Sequence, residues 1–186
     1  MIVLASASPR RQEILRSAGI SFVVQAADID EKVLEGESPR ECAERLAREK
    51  ARVVATQRSR DFVLGADTIV VVDGEILGKP RDAEDAMRML RLLSGRAHEV
   101  ITGVCLIGPG GVENVQSERT LVAMSEIGER EIQAYIETGE PMDKAGAYAI
   151  QGMASRWIPR IEGDYFNVVG LPMALVWRML RERGAV

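Results

Sequence analysis

The chain is poor in the residues from which most staples and many catalytic centres are built. Its two cysteines, Cys42 and Cys105, lie far apart and in no metal-binding spacing. That gives no support to a disulfide framework or a zinc site, and reduced thiols are expected. The one histidine, His98, has no nucleophile pattern beside it, and an isolated imidazole is more often structural than catalytic. No apolar run approaches the ~20 residues of a membrane span. Met1-Ile2-Val3-Leu4 is too short for a signal peptide and has no basic segment before it. A cytoplasmic protein without membrane contact is expected. The P-loop pattern G-x-x-x-x-G-K-[ST] is missing. The cluster Gly108-Pro109-Gly110-Gly111 lacks both the spacing and the following helix of a dinucleotide fingerprint, so it reads as a turn between strands. A net charge of -4 disfavours broad binding to nucleic-acid polymers or anionic membranes, but leaves room for a local basic pocket.

What is present is a globular composition, 46% hydrophobic and 28% charged over 186 residues. A chain of this size buries roughly 70% of its unfolded surface. No repeat, linker or low-complexity stretch interrupts it, so residues 1–186 are expected to form one compact unit. The stretch that organises it runs from Leu64 to Pro80. An apolar run, Phe62 to Ala66, leads to a lone carboxylate, Asp67, read here as the point where one strand gives way to the next. A β-branched run then closes on Asp73-Gly74, a type I′ hairpin turn, and carries Lys79 back across the hairpin.

Around that stretch the pattern predicts alternating strands and helices. Ile2 to Ala5 reads as a buried strand. Ser8 then caps a helix with Pro9 at its first position, running to Ala18 and closed by Gly19. Ile20 to Val24 is a second strand, followed by the acidic loop Asp28-Ile29-Asp30-Glu31. Ser38-Pro39-Arg40-Glu41 is a capping box opening a helix to about Thr56 that carries Lys50. Asp82 caps a helix over Ala83 to Leu93. Val100 to Ile107 and Val112 to Met124 form an antiparallel ribbon, Glu129 to Thr138 a short helix, Arg156 to Ile161 a strand. Asp164 to Val169 follows a Glu162-Gly163 turn, and Pro172 starts a final helix with Leu175, Val176, Met179 and Leu180 facing inward.

One departure from helix stability carries chemistry. Arg10 and Arg11 occupy a first helical turn, where the macrodipole disfavours cations. Two arginines, small residues, the hydroxyls of Ser6 and Ser8 and the free N–H groups of a helix start together make an anion site. Arg10, Arg11, Lys50 and Lys79 suit a triphosphate, and Glu31 and Asp67 suit a divalent metal that bridges phosphate oxygens and keeps several waters. No covalent nucleophile with its base is in evidence. The chemistry that follows is metal-assisted hydrolysis. Asp67 binds the metal or takes a proton from an attacking water, the cations neutralise phosphate and leaving-group charge, and the amide of Gln151 is placed to read a base edge.

Taken in order, Ser6-Ala7-Ser8-Pro9-Arg10-Arg11, Glu31, Lys50-Ala51, Gly65-Ala66-Asp67-Thr68, Gly78-Lys79-Pro80, Leu93-Ser94-Gly95-Arg96 with His98, Asp143 to Gly152, and Asn167-Val168-Val169-Gly170-Leu171-Pro172 resemble the Maf family of nucleoside triphosphate pyrophosphatases. The resemblance spans the whole chain and implies an α/β fold of the inosine-triphosphate-pyrophosphatase-like kind, with a long mixed sheet flanked by helices and two lobes around a cleft. It implies cleavage of a nucleoside triphosphate to monophosphate and pyrophosphate with Mg2+ or Mn2+. It makes Asp67 the catalytic proton acceptor and Glu31 its acidic, metal-holding partner, with Ser6, Arg10, Arg11, Lys50 and Lys79 on the phosphates. Arg10, Thr68 and Gln151 fall at positions of substrate choice. The arginine after Ser8-Pro9 and the segment ending in Gln151-Gly152 are similar to the branch acting on dTTP and UTP. The 7-methyl-GTP branch typically has an aromatic residue and a glutamate there. An amide both donates and accepts, as the O4 and N3–H edge of uracil or thymine requires. The family is also associated with arrest of septum formation, so a regulatory nucleotide-binding role stands as the alternative, and a homodimer is implied.

Overall fold

The computed structural model describes residues 1–186. Seven strands form one sheet: β1 (Ile2–Leu4), β2 (Phe22–Val24), β3 (Phe62–Val72), β4 (Glu75–Leu77), β5 (Ala97–Ile107), β6 (Glu113–Ala123) and β7 (Arg160–Glu162). Their order is β2-β1-β3-β5-β6-β7, with β4 paired to β3. The helices are α1 (Pro9–Ser17), α2 (Pro39–Ala55), α3 (Ala83–Leu93), α4 (Glu129–Glu137), α5 (Tyr165–Val169) and α6 (Met173–Glu182). The sheet is mixed, as expected: β1 is parallel to β2 and β3, whereas β4 is antiparallel to β3 and β7 to β6. No helix is long and apolar enough to cross a membrane.

The chain divides into two compact units. One comprises Met1–Thr68, Thr102–Glu118 and Gly170–Val186; the other comprises Ile69–Ile101 and Arg119–Val169. In the first, β1, α1, β2, α2 and β3 follow one another as parallel strands with helical crossovers, so β1 and β3 read as near-continuous buried runs. Val3, Val63, Cys105 and Ile107 meet Ala47, Ala51 and Val54 of α2 in its core. The approach of α2 is unusually close. A Cβ at Gly65 of β3 would overlap the Ala47 carbonyl oxygen and lie 2.8 Å from the Ala51 nitrogen. A Cβ at Gly103 of β5 would overlap the Ala43 carbonyl and lie 2.7 Å from the Glu44 nitrogen. Glycine in two neighbouring strands therefore lets the backbone of α2 rest directly on the sheet.

In the second unit, Val70, Leu77, Leu90, Val100, Val122 and Tyr135 belong to a larger core built on α3 and α4. Asp73 (φ 49) and Gly74 (φ 82) both have positive φ, the type I′ turn that the dipeptide predicts. His98 is buried there, with Nε2 2.7 Å from the Tyr148 hydroxyl, and its Nδ1 has no partner. Burial alone pushes its pKa down to about 4. Asn167 donates through Nδ2 to the Val100 carbonyl and to Thr120 Oγ1, each at 2.9 Å.

The helix starts match their sequence signals. Ser8 accepts from the Arg11 amide, Ser38 and Glu41 form a reciprocal capping box, and Asp82 accepts from Asp85. Two expectations are corrected. Asp67 does not end a strand: β3 runs unbroken through it, because its carboxylate is paired with Lys50 of α2 and so is accommodated within the strand. Arg156 to Ile161 is not one strand; Met153–Trp157 is a 3-10 turn that buries Trp157 under Arg156, and only Arg160–Glu162 pairs with β6. Pro159, which has no N–H to give a ladder, separates the two. Tyr165–Val169, within the segment after the Glu162-Gly163 turn, is a short helix.

Candidate active site

Asp67 sits on β3 two residues after Gly65, so the two point to the same face of the sheet. That is the face on which α2 rests. Lys50 lies on α2 between Ala47 and Ala51, the residues that touch Gly65, and its ammonium is thereby delivered to Asp67 Oδ1 at 2.5 Å. The same Nζ lies 2.6 Å from Glu31 Oε1. Lys50 and Asp67 are each 7% exposed, whereas Glu31 is exposed. Both carboxylates thus converge on one cation, through a buried contact from Asp67 and a partly solvated one from Glu31.

The next residue along β3, Thr68, belongs to a second cluster. Arg11 folds back from the start of α1 and is buried. Its Nε donates to the Gly170 carbonyl at 2.8 Å, one terminal nitrogen to Ser6 Oγ at 3.0 Å and the other to Thr68 Oγ1 at 3.1 Å. Each guanidinium nitrogen is therefore engaged once, and two of the five N–H groups are left over. Burial lowers the Arg11 pKa from its ordinary value, and the Asp67 carboxylate works in the opposite sense. The side chain remains a cation, fixed in a planar orientation by neutral acceptors. Ser6 Oγ also accepts from the Ser8 amide at 3.3 Å.

Two residues of this cluster were not singled out from sequence. Gly170 presents its carbonyl to Arg11 at φ 130, a conformation that glycine adopts readily. It stands 159 positions away in the chain, inside a motif whose partner is not readable from spacing. Thr102 of β5, fully buried, shares a 2.9 Å hydrogen bond with Thr68 Oγ1. Its only sequence signal is a hydroxyl within the otherwise apolar run Val100 to Ile107.

The first unit therefore brings together six of the expected residues in two linked groups: Glu31, Lys50 and Asp67, and Ser6, Arg11 and Thr68. Arg10 is on the same helix start and half-buried. Lys79 and Gln151 belong to the second unit. Lys79 is exposed just beyond β4, where the Gly78 carbonyl accepts from the Gly146 amide at 3.1 Å. Gln151 is exposed in the turn that follows the buried pair Ala147 and Tyr148.

The donors present suit a hard divalent ion. Two carboxylates, Glu31 and Asp67, already meet on a single cation, and carboxylate oxygens are the donors that such an ion takes. Neither cysteine offers a nucleophile, since burial pushes the Cys42 thiol up to about 11 and the Cys105 thiol to about 12.

The family model described as Maf-like protein matches residues 1–183. A relative from Koribacter versatilis named dTTP/UTP pyrophosphatase is 60% identical, covering 100% of this chain and 95% of its own. Relatives of the same name from Symbiobacterium thermophilum and Syntrophomonas wolfei are 54% and 52% identical, covering 98% and 97% of this chain and 94% and 96% of their own. Among solved structures, the Staphylococcus aureus Ham1 protein aligns at TM-score 0.52 and 16% identity over 98% of each chain, a likeness of fold. By sequence over almost its whole length, the chain belongs to the Maf-like family.

Proposed function

We propose that this chain is a nucleoside triphosphate pyrophosphatase that hydrolyses dTTP and UTP to the monophosphate and pyrophosphate. The observation that carries the reading is the buried Lys50–Asp67 pair with Arg11 fixed beside it, in a chain that matches dTTP/UTP pyrophosphatases from end to end.

The roles proposed for the residues are these. Asp67, at the end of the Lys50 contact, accepts the proton of the attacking water; Lys50 keeps the carboxylate in place and offsets its charge. Arg11, whose fork is already oriented, gives its remaining N–H groups to phosphate oxygens without paying for reorganisation. Ser6 accepts from Arg11 and so keeps its own hydrogen for an anion. Arg10 adds a second cation at the helix start, and Lys79 a further phosphate contact. Thr68, Arg10 and Gln151 act in substrate choice, Gln151 by pairing with the O4 and N3–H edge of the pyrimidine. Glu31 and Asp67 would hold a divalent cation, Mg2+ or Mn2+, which supplies charge neutralisation on phosphate oxygens when bound. The same reading makes the protein a cytoplasmic homodimer, which light scattering of the purified protein checks for assembly.

Product analysis tests the reaction. UTP incubated with the protein and Mg2+ is expected to yield UMP and pyrophosphate in equal amounts. UDP with inorganic phosphate would overturn the assignment.

A further inference from the structure

Gln151 is held by a device that lies wholly in the second unit. Residues Ala149 to Gly152 form a turn closed by the Gly152 amide on the Ala149 carbonyl at 3.1 Å, which puts Ile150 and Gln151 at its two central positions. Both ends of this turn are tied to one pair, the buried Tyr135 and the half-buried Glu140. The Tyr135 hydroxyl accepts from the Ala149 amide at 3.2 Å and donates to Glu140 Oε1 at 2.7 Å. Glu140 in turn accepts from the Met153 amide, at 3.1 Å through Oε1 and 3.3 Å through Oε2.

The carboxylate of Glu140 packs directly against Gly152: a Cβ there would overlap Oε1 and Cδ and lie 2.6 Å from Oε2. Gly152 is thus required by this contact, and its φ of -102 is an ordinary one. The pair is itself fixed. Tyr135 is fully buried, edge-on to Trp157 at 5.2 Å between centroids, and Glu140 comes five residues later, just past the end of α4. Burial and the neighbouring carboxylate push the phenol's pKa up, so its proton stays available to Glu140.

The clamp therefore fixes the turn at its two ends, through the amides of Ala149 and Met153, while the Gln151 side chain is exposed. A carboxamide matches uracil in one orientation and, with O and N exchanged, cytosine in the other. Discrimination then depends on where the backbone holds it. We propose that Tyr135 and Glu140 are positioning residues for base selectivity, acting through the turn that carries Gln151. This rests on the reading that Gln151 reads the base.

The test is a double-mutant cycle in full-length protein, measuring kcat and KM for UTP and CTP with Mg2+. Tyr135→Phe removes the hydroxyl and keeps the ring against Trp157. It is expected to lower the UTP-over-CTP ratio of kcat/KM about tenfold, mainly through KM for UTP. In a Gln151→Ala background the same change is expected to leave the ratio where Gln151→Ala already put it. Glu140→Gln, which keeps the shape and loses the charge, is expected to lower the ratio in the same direction and serves if Tyr135→Phe folds poorly. A clamp that is only structural would depress both substrates alike and leave the ratio intact, and that result overturns the proposal. If Gln151→Ala collapses the ratio and neither clamp variant moves it, the base-reading role stands and the clamp falls. If Gln151→Ala itself leaves the ratio unchanged, the base-reading role fails and the proposal fails with it.

Discussion

Gly65→Ala places one methyl group at the contact that delivers Lys50 to Asp67. The added Cβ would overlap the Ala47 carbonyl oxygen and stand 2.8 Å from the Ala51 nitrogen and 2.9 Å from the Ala51 Cβ. All of these belong to, or are anchored on, helical backbone, so no flexible side-chain end can swing away. The helix α2 has to lift by about 1 Å to restore ordinary contact. Overpacking of this kind costs ~2 kcal/mol, which for a chain of this size lowers Tm by about 4–8 °C. The same lift stretches the 2.5 Å contact between Lys50 Nζ and Asp67 Oδ1 to about 3.5 Å, the outer limit of a hydrogen bond. A misplacement of ~1 Å at a reacting group costs up to about a hundredfold in rate. Scanning calorimetry and UTP turnover on the same preparation read both effects. Gly103→Ala, which meets α2 at Ala43 and Glu44, is the companion variant and is expected to lose similar stability with a smaller loss of rate, being one turn farther from Lys50. A Gly65→Ala protein with unchanged Tm and unchanged turnover would refute the claim that glycine at this strand position sets the site.

Other outcomes follow from the same contacts. Arg11→Lys replaces a fork that serves three acceptors with a single ammonium; kcat/KM for UTP is expected to fall at least about a hundredfold, and retention within a factor of a few would dismiss the fork. If Lys79 contacts phosphate as proposed, Lys79→Ala loses a charge-assisted contact worth ~1.5 to 3 kcal/mol, to be seen as a higher KM or lower kcat; wild-type kinetics would make Lys79 an ordinary end of its hairpin. His98 gives a pH signature. Its folded pKa is lowered to about 4 from 6.5, so the unfolded chain takes up a proton that the folded protein refuses. The stabilisation is complete above about pH 6.5 and fades as pH falls toward 4, by about 3 kcal/mol. Denaturant titrations at pH 7 and 4.5 should show a smaller pH dependence in His98→Gln than in the parent, and equal slopes would contradict the assignment.

The parts of the fold that the sequence made legible are those fixed by local chemistry. Ser8, Ser38 and Asp82 announce their helices because a cap satisfies amide groups within three residues of itself. Asp73-Gly74 announces its turn because both residues must take positive φ. The charged site residues were legible for the opposite reason: arginines in a first helical turn and a lone carboxylate amid apolar residues are costly unless something binds them. What escaped was set by tertiary packing. A lone carboxylate after an apolar run makes Asp67 read as a strand end, when it is a strand interior beside the face on which α2 rests. Gly170 contributes a carbonyl, which no residue type advertises, to a side chain 159 positions away. The stretch Arg156 to Ile161 reads as a strand, yet Trp157 is drawn into the core and Pro159 interrupts pairing. Tyr135 and Glu140 look like an amphipathic helix end until their hydrogen bonds to Ala149 and Met153 are traced.

The most direct test of the account is pyrophosphate release from dTTP, UTP, CTP and 7-methyl-GTP, with Mg2+ or Mn2+ and without either, run beside Asp67→Asn. The account predicts metal-dependent release that is greatest for dTTP and UTP and is lost in the variant, with the variant's circular dichroism unchanged. Undiminished release by Asp67→Asn would contradict the assignment of Asp67, and dominant release from 7-methyl-GTP would contradict the assigned substrate.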